Sequence, residues 1–141
     1  MLLFYIINYA FIQMDVAITN GIKVSVKTDY QEFYSNPFEN NFAFSYKIRI
    51  ENASDATFKL ISRHWFIFDA SGNSYEVEGE GVVGKQPVIE PGRSHEYISG
   101  CNFNAPFGQM YGYYVMERVI DGRFFKIDIP RFVMTHPALL N

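Results

Sequence analysis

The run Ile22-Lys23-Val24-Ser25-Val26-Lys27-Thr28-Asp29-Tyr30 alternates large or apolar residues with polar ones. Alternation with a period of two residues is typical of a β-strand that buries one face. Residues 42–50 repeat the pattern, because Phe, Tyr and Ile occupy one side of the alternation and Ser, Lys and Arg the other. Residues 34–41 are polar and contain Asn36-Pro37, which predicts a loop between the two strands.

The remainder of the chain continues as short apolar runs separated by turn residues. Strands are predicted at residues 57–68, 74–78, 94–101, 110–119 and 124–129. Gly72 and Gly122 lie between neighbouring runs and favour hairpin turns. Pro130 is expected to end the last strand, because proline lacks the amide donor that a β-ladder needs. No segment sustains helical periodicity, so the pattern predicts an all-β fold, an antiparallel β-sandwich.

Composition supports a single β-rich domain. The 141 residues include 14 Phe and 10 Tyr, and aromatic residues favour pleated, half-buried surfaces. The net charge of −3 comes without any basic block, so a nucleic-acid-binding face is not expected. Cys101 is the single cysteine, which excludes an intrachain disulfide and suits a reducing, cytoplasmic setting.

The first residues need an interpretation of their own. Residues 2–7 are apolar, but no Lys or Arg precedes them, and the stretch is far shorter than the roughly 20 residues of a membrane span. Residues 1–13 are therefore expected to be an extension, upstream of a true start at Met14, or else a short extra strand or hydrophobic flap. The domain is expected over residues 14–135, with residues 136–141 as a tail.

A glycine motif, Gly79-Glu80-Gly81-Val82-Val83-Gly84, matches the pattern G-x-G-x-x-G. In a dinucleotide-binding fold this pattern opens a helix whose amides hold pyrophosphate, but Pro87 and Pro91 exclude such a helix here. A weaker functional interpretation remains, in which the amides of Gly79, Gly81 and Gly84 form an anion-binding nest beside Lys85. The structural alternative is that these glycines supply bends and positive φ angles.

Arg63, His64 and Trp65 lie in the middle of the predicted strand 57–68. Alternation places Arg63 and Trp65 on one face with Ile61 and Ile67, and His64 on the other face with Leu60, Ser62, Phe66 and Phe68. Both faces are mostly apolar. One interpretation is structural, with Trp65 in the core and its two neighbours holding loops in place. In the other, Arg63 and His64 are donors to an anionic ligand or a partner peptide beside the glycine loop.

Several of these signatures occur in a specific order. Ser62-Arg63-His64-Trp65 is followed by the glycine motif, then by Pro91-Gly92 and Ser99-Gly100-Cys101. In this order they resemble the ApaG family, and the likeness extends over residues 17–132. The resemblance implies an immunoglobulin- or fibronectin-III-like sandwich without a disulfide. It also implies an association of the glycine motif with pyrophosphate-type ligands, and it brings the family's label of cobalt and magnesium efflux.

Metal binding and catalysis find little support in the residues. His64, His95 and His136 are scattered without metal-ligand spacing, so no metal ligands are predicted. Glu76, Glu78 and Glu80 share one strand face and are expected to form a solvated acidic edge. No nucleophile–base pair is visible, and Cys101 is expected to be a buried small apolar residue. Neither an enzyme nor a cofactor is predicted.

The favoured function is a cytoplasmic binding module that recognises a protein partner, in the setting of divalent-cation homeostasis that the family label implies. The alternative is a sensor that binds pyrophosphate or a nucleotide at the glycine loop. The pattern leaves the oligomeric state open between monomer and homodimer.

Overall fold

A computed structural model describes residues 14–140 as an antiparallel β-sandwich, which confirms the predicted fold class. Residues 1–13, where an extension was predicted, and Asn141 lie outside the described residues. The strands are β1 (Asp15–Thr19), β2 (Ile22–Tyr30), β3 (Phe42–Asn52), β4 (Phe58–Asp69), β5 (Ser74–Glu80), β6 (Val88–Ile89), β7 (Ser94–Phe103), β8 (Phe107–Arg118) and β9 (Arg123–Thr135). Short 3-10 helices occupy Pro37–Glu39 and Pro137–Leu140. Within residues 14–140, no helix has the length and apolar character that crossing a membrane requires.

The strands form two sheets that bury aromatic and aliphatic side chains between them. One sheet has the order β1-β2-β3-β7, and the other has the order β5-β4-β8-β9, with β6 paired to β4. The largest fully buried side chains include Tyr114, Phe103 and Phe132. Trp65 is also buried and packs edge-on against Tyr46 and Phe132, as predicted for a core residue.

The hairpin of β1 and β2 was not predicted. Its two strands are joined by Asn20 and Gly21, whose φ angles are 50° and 79°. Positive φ at both central residues is the type I′ geometry that suits the twist of a two-residue hairpin, and Asn-Gly is its preferred sequence. The sequence signal was therefore present, although β1 itself is short.

A β-bulge in β4 corrects the predicted division of its faces. The register with β8 shifts between Leu60 and Ser62, which adds one residue to β4 at that point. Leu60 is consequently buried in the core, on the same face as Trp65, and the prediction that it shares the face of His64 was wrong. Beyond the bulge the predicted alternation holds.

A second bulge overturns the expectation that Pro130 ends the last strand. Gly112 pairs with Ile129 and Met110 pairs with Phe132, so Pro130 and its successor together oppose a single residue of β8. A bulged position needs no ladder amide, and β9 is an edge strand of its sheet, so proline is tolerated there. β9 therefore continues to Thr135.

The two long sides of the sandwich differ. On one side β9 contacts β1 and β2, and the backbone amide of Asp128 donates to Oγ1 of Thr19 at 3.1 Å. On the other side lie β5 and β7, each an edge strand of its own sheet. Tyr75 and Val77 of β5 pair with the core residues of β4 yet remain exposed to solvent. One side is closed and the other is open.

Candidate functional site

Arg63 lies on the inner face of β4 and does meet the glycine motif. Gly79 pairs directly with Arg63 across the β4–β5 ladder. Nη1 of Arg63 donates to the backbone oxygens of Glu80 at 3.0 Å and Gly81 at 2.9 Å. A Cβ on residue 79 would lie 2.8 Å from Nη1, so glycine makes room for the guanidinium. The backbone oxygens of the glycine motif thus accept hydrogen bonds from the Arg63 side chain.

The remaining glycines of the motif, Gly81 and Gly84, allow positive φ angles and a close approach of the backbone. Gly81 has φ +61°, and a Cβ there would lie only 2.1 Å from the oxygen of Lys85. Val83 and Gly84, with φ angles of 47° and 75°, form a tight turn. The turn is closed by the Val82 amide, which donates to Lys85 O at 2.8 Å, and by the reverse bond at 3.1 Å. The amide of Gly81 donates to Ile61, so three amides of the segment are already bonded within the protein.

His64 lies on the opposite face of β4 from Arg63, so these two predicted site residues do not share a site. Its ring nitrogens approach two carboxylates of β5, with Nδ1 2.6 Å from Glu78 and Nε2 2.9 Å from Glu76. Two carboxylates of the acidic row on β5 therefore contact the ring of His64 on the neighbouring strand.

A ladder of aromatic rings covers the outer face of the second sheet. The ring of His64 stacks on Tyr113 with centroids 5.0 Å apart, and that of Phe66 stacks on Tyr111 at 5.2 Å. A groove of about 450 Å³ lies over Phe66 and Tyr111, with Glu76 at one side and Arg131 at the other. The sequence showed that both faces of β4 are apolar, which was the signal for this surface.

Basic side chains flank the ladder on β9. The guanidinium of Arg131 lies over the ring of Tyr111, 4.3 Å from its centroid, and the ammonium of Lys126 lies 4.6 Å from the centroid of Tyr113. Cation–π contacts of this kind hold long side chains against the sheet. We call this surface, from the glutamates of β5 to the two cations of β9, the aromatic face.

Cys101 does not have the environment of a reactive thiol. It packs against the core, and its Sγ lies 3.8 Å from Sδ of Met134. Burial raises the pKa of this thiol to about 12, and the carboxylate of Asp69 adds to the shift. The thiolate is the nucleophilic form, so Cys101 is held in its unreactive state at neutral pH.

The loop between β2 and β3, residues 31–41, exposes three aromatic side chains that the sequence reasoning did not single out. Phe33 is 90% exposed, Tyr34 is 69% exposed and Phe38 is 101% exposed. Aromatic residues in a segment with three Asn and one Pro, outside any alternation, were the available signal. We call this segment the aromatic loop.

The aromatic loop is built by its own hydrogen bonds. Oγ of Ser35 donates to the oxygen of Gln31 at 2.7 Å and accepts from the amide of Ala43 at 2.8 Å. Asn36 and Asn41 exchange two backbone bonds of 2.8 and 3.0 Å, which close the base of the 3-10 turn. The exposed rings are therefore carried on a defined backbone.

The part of the chain that the structure describes contains no cluster of metal-ligating side chains. Within residues 14–140, no three His, Cys, Asp or Glu side chains are grouped as a metal ion would require. Glu76, Glu78 and Glu80 lie on an edge strand, as predicted for a solvated acidic edge.

Comparison with known proteins gives consistent matches. The family model of the ApaG domain matches residues 32–118. The chain is 46% identical over 121 residues to Protein ApaG of Brucella abortus (strain S19), covering 86% of this chain and 92% of that protein. The X-ray structure of structural genomics target SoR45 is 43% identical with a TM-score of 0.81, covering 89% of this chain and 94% of that one. The crystal structure of the putative ApaA protein from Bordetella pertussis is 38% identical with a TM-score of 0.79, covering 82% and 94%.

Proposed function

The chain belongs to the ApaG domain family, and from that premise we propose that it is a non-catalytic binding module that recognises a protein partner through the aromatic loop. The observation that carries the proposal is the exposure of Phe33 and Phe38 on a hydrogen-bonded loop. Loops positioned by a rigid β-scaffold commonly carry recognition, and aromatic side chains are frequent anchors of protein interfaces.

The energetic argument rests on the apolar area that the loop leaves in water. A Phe side chain buries on the order of 150–250 Å² at an interface, which is worth roughly 2–3 kcal/mol in the favourable direction. Phe38 has no shielding from the rest of the protein, so nearly all of its ring is available to a partner. The loop backbone is already ordered, which lowers the entropic cost of binding.

Charge indicates the chemistry of the partner. Glu32 and Glu39 flank the exposed rings, and residues 31–41 contain no Lys or Arg. The complementary surface is therefore an apolar pocket with a basic rim. An anionic lipid surface would repel these carboxylates, which favours a protein over a membrane as the partner.

The cellular setting of this recognition follows from the family resemblance alone. We propose cobalt and magnesium homeostasis as that setting, in line with the label that the family carries, and the single cysteine suits the cytoplasm. In this proposal the sandwich acts there by binding another protein through the aromatic loop.

The test is affinity capture with the loop as the variable. Wild-type protein and a Phe33→Ser/Phe38→Ser variant are immobilised, and bound proteins are compared after growth at low and high cobalt or magnesium. We expect one partner that the wild-type protein retains and the loop variant loses. Purified partner should then bind the loop variant at least about tenfold more weakly, as expected when two aromatic anchors are removed.

Ile120→Ser is the matched control for the loop variant. Ile120 is 88% exposed in the β8–β9 turn, away from the aromatic loop, so its loss also removes exposed apolar area. This control should keep the partner, and both variants should keep the wild-type melting temperature. Recovery of the same proteins with all three baits, or of none under any growth condition, would contradict the proposal.

A second candidate is a small-anion sensor at the glycine motif, which would take pyrophosphate or a nucleotide. The specific observation in its favour is that the cationic side chains of Arg63 and Lys85 lie on the open side of the sandwich, the side of β5 and β7. Arg63 lies at Gly79. Burial lowers the pKa of the His95 imidazole, and Lys85 is near enough to lower it further. Bonded amides at Gly81, Val82 and Lys85 leave the cations as the principal donors.

Thermal unfolding with pyrophosphate tests the sensor. Binding to the folded state raises the melting temperature, and Lys85→Ala should remove most of that rise. Lys27→Ala removes an exposed lysine from the other sheet and should leave the rise intact. An unchanged melting temperature at millimolar pyrophosphate would count against this candidate.

A further inference from the structure

The outer faces of the two sheets have opposite character, although both are exposed. On the first sheet, Lys47 and Arg49 of β3 pair with Glu96 of β7 at 3.4 and 3.8 Å, as on a solvated surface. The aromatic face of the second sheet instead presents stacked rings, with Tyr111 and Phe68 more than a third exposed. A contiguous exposed apolar patch on one side of a domain is typical of an interaction surface.

Charge on the aromatic face is ordered across the strands. β5 contributes the carboxylates of Glu76, Glu78 and Glu80, β4 and β8 contribute the rings, and β9 contributes the cations of Lys126 and Arg131. Asp128 is the one carboxylate of β9 that pairs into this face, opposite Tyr113. The face is therefore acidic along one edge, apolar in the centre and mainly basic along the other edge.

Such a face is complementary to itself under one symmetry operation. A two-fold axis that runs parallel to the strands, between β4 and β8, places the β5 edge of one copy over the β9 edge of the other. An axis perpendicular to the strands would place acid over acid and is disfavoured. We propose that a second copy of this chain covers the aromatic face, forming a homodimer by face-to-face packing of the two outer sheets.

The strand pairing within the sheet shows which charged residues of the two copies would face each other. Residues paired across β5, β4, β8 and β9 form a row, and the two-fold axis places each row over the same row of the second copy. Phe66 pairs with both Glu76 and Tyr111, and Arg131 lies over Tyr111, so this row brings Glu76 of one copy opposite Arg131 of the other. The row through Ser62 contains Glu80 and Lys126, which oppose each other in the same way. In the row through His64, Glu78 of one copy would oppose Asp128 of the other, and the ammonium of Lys126 over Tyr113 lies in this row to offset them.

The size of the face suits a stable dimer. β4 and β8 have 12 residues each. β9 has 13 residues and β5 has seven, so at about 3.3 Å per residue and about 4.8 Å per strand the face measures roughly 700 Å². A standard interface buries about 800 Å² per partner, and aligned sheets pack about 10 Å apart at roughly 30°. The groove over Phe66 and Tyr111 leaves space for opposing side chains.

Charge reversal in two complementary variants tests this dimer. The acidic-faced variant carries Lys126→Glu and Arg131→Glu, and the basic-faced variant carries Glu76→Lys and Glu80→Lys. Sedimentation equilibrium of the full chain over a wide concentration range should show a wild-type dimer. Each variant alone should dissociate at least about tenfold more readily, because like charges then oppose each other along both edges. An equimolar mixture of the two variants should restore the dimer as a heterodimer.

The control reverses charges on the other sheet. Lys47→Glu with Arg49→Glu should leave the dimer intact, and circular dichroism should show that every variant keeps its β-structure. A wild-type protein that remains monomeric at all concentrations would overturn the proposal. So would a dimer that persists in both reversed variants, or a mixture of the two that fails to associate. None of these results bears on the aromatic loop, which lies outside this face.

Discussion

The guanidinium of Arg63 rests on the backbone of Gly79, at the position that a side chain of residue 79 would occupy. Two backbone oxygens further along the motif accept hydrogen bonds from the same Nη1 atom. The first glycine of the motif is therefore required by the arginine of the neighbouring strand, and a ligand is not needed to explain it.

Gly79→Ala should destabilise the wild-type protein by about 1 kcal/mol, because the guanidinium must move from at least one acceptor. In an Arg63→Met background the same change should be neutral or slightly stabilising, since alanine suits a strand better than glycine. Urea unfolding of the four proteins in a double-mutant cycle measures the difference. An equal cost in both backgrounds would show that the two residues are not coupled.

Gly81→Ala should cost several times more than Gly84→Ala. A Cβ at residue 81 meets the oxygen of Lys85 at 2.1 Å, whereas nothing lies within 4 Å of a Cβ at residue 84. Both residues have positive φ, which costs an alanine about 1 kcal/mol, and the clash at residue 81 should add about 2 kcal/mol more. Denaturant unfolding measures both costs, and equal values would contradict the close backbone approach.

Cys101 should resist alkylation while the protein is folded, because burial raises the pKa of its thiol to about 12 from 9.0. In native protein near neutral pH, iodoacetamide should label it far more slowly than in urea. Labelling at the same rate in both states would contradict the burial of the thiol.

The same pKa shift predicts a loss of stability at alkaline pH. Below about pH 9 the thiol is neutral in both the folded and the unfolded state, so its contribution is complete. As pH rises from about 9 to about 12, the unfolded thiol ionises before the folded one, and the free energy of unfolding falls. Cys101→Ala should therefore lose less stability than the wild-type protein between about pH 8 and about pH 10. Parallel losses in urea titrations would exclude this linkage.

Asn52→Leu should destabilise the sandwich by about 2–3 kcal/mol, because it removes a buried amide at little change of volume. Nδ2 of Asn52 donates to Ala56 O at 2.7 Å and Ile89 O at 2.9 Å, and Oδ1 accepts from the amide of Ser54. The exposed Asn102 bonds to Asn41, and Asn102→Leu should cost less than about 0.5 kcal/mol. Thermal and urea unfolding compare the two, and similar costs would refute the distinction.

The architecture of the fold could be predicted because buried and exposed residues alternate with period two along most strands. The alternation failed at Leu60, beside the bulge in β4, and the expectation that proline ends a strand failed at Pro130, in the bulge of β9. A bulge inserts one residue into one strand and depends on the partner strand opposite, which a local pattern does not contain. The Asn20-Gly21 hairpin was readable from its sequence and was overlooked.

The candidate surfaces were less accessible to sequence reasoning. Phe66 and Tyr111 have the residue types of a core, and only the two-layer architecture shows that their face is outside it. Phe38 is similar, since its exposure follows from the path of a loop. The meeting of Arg63 with Gly79 depends on the β4–β5 register, which the hairpin prediction allowed but did not fix.

The unlike long sides of the sandwich have a consequence for its motions. A hydrogen bond between Thr19 and Asp128 joins the two sheets along one long side, whereas Tyr75 and Val77 on the other long side are exposed to solvent. Local opening of the sandwich should start at the exposed side, so amide protons of β5 should exchange with deuterium sooner than those of β2. Any molecule that inserts between the two sheets would enter from this exposed side.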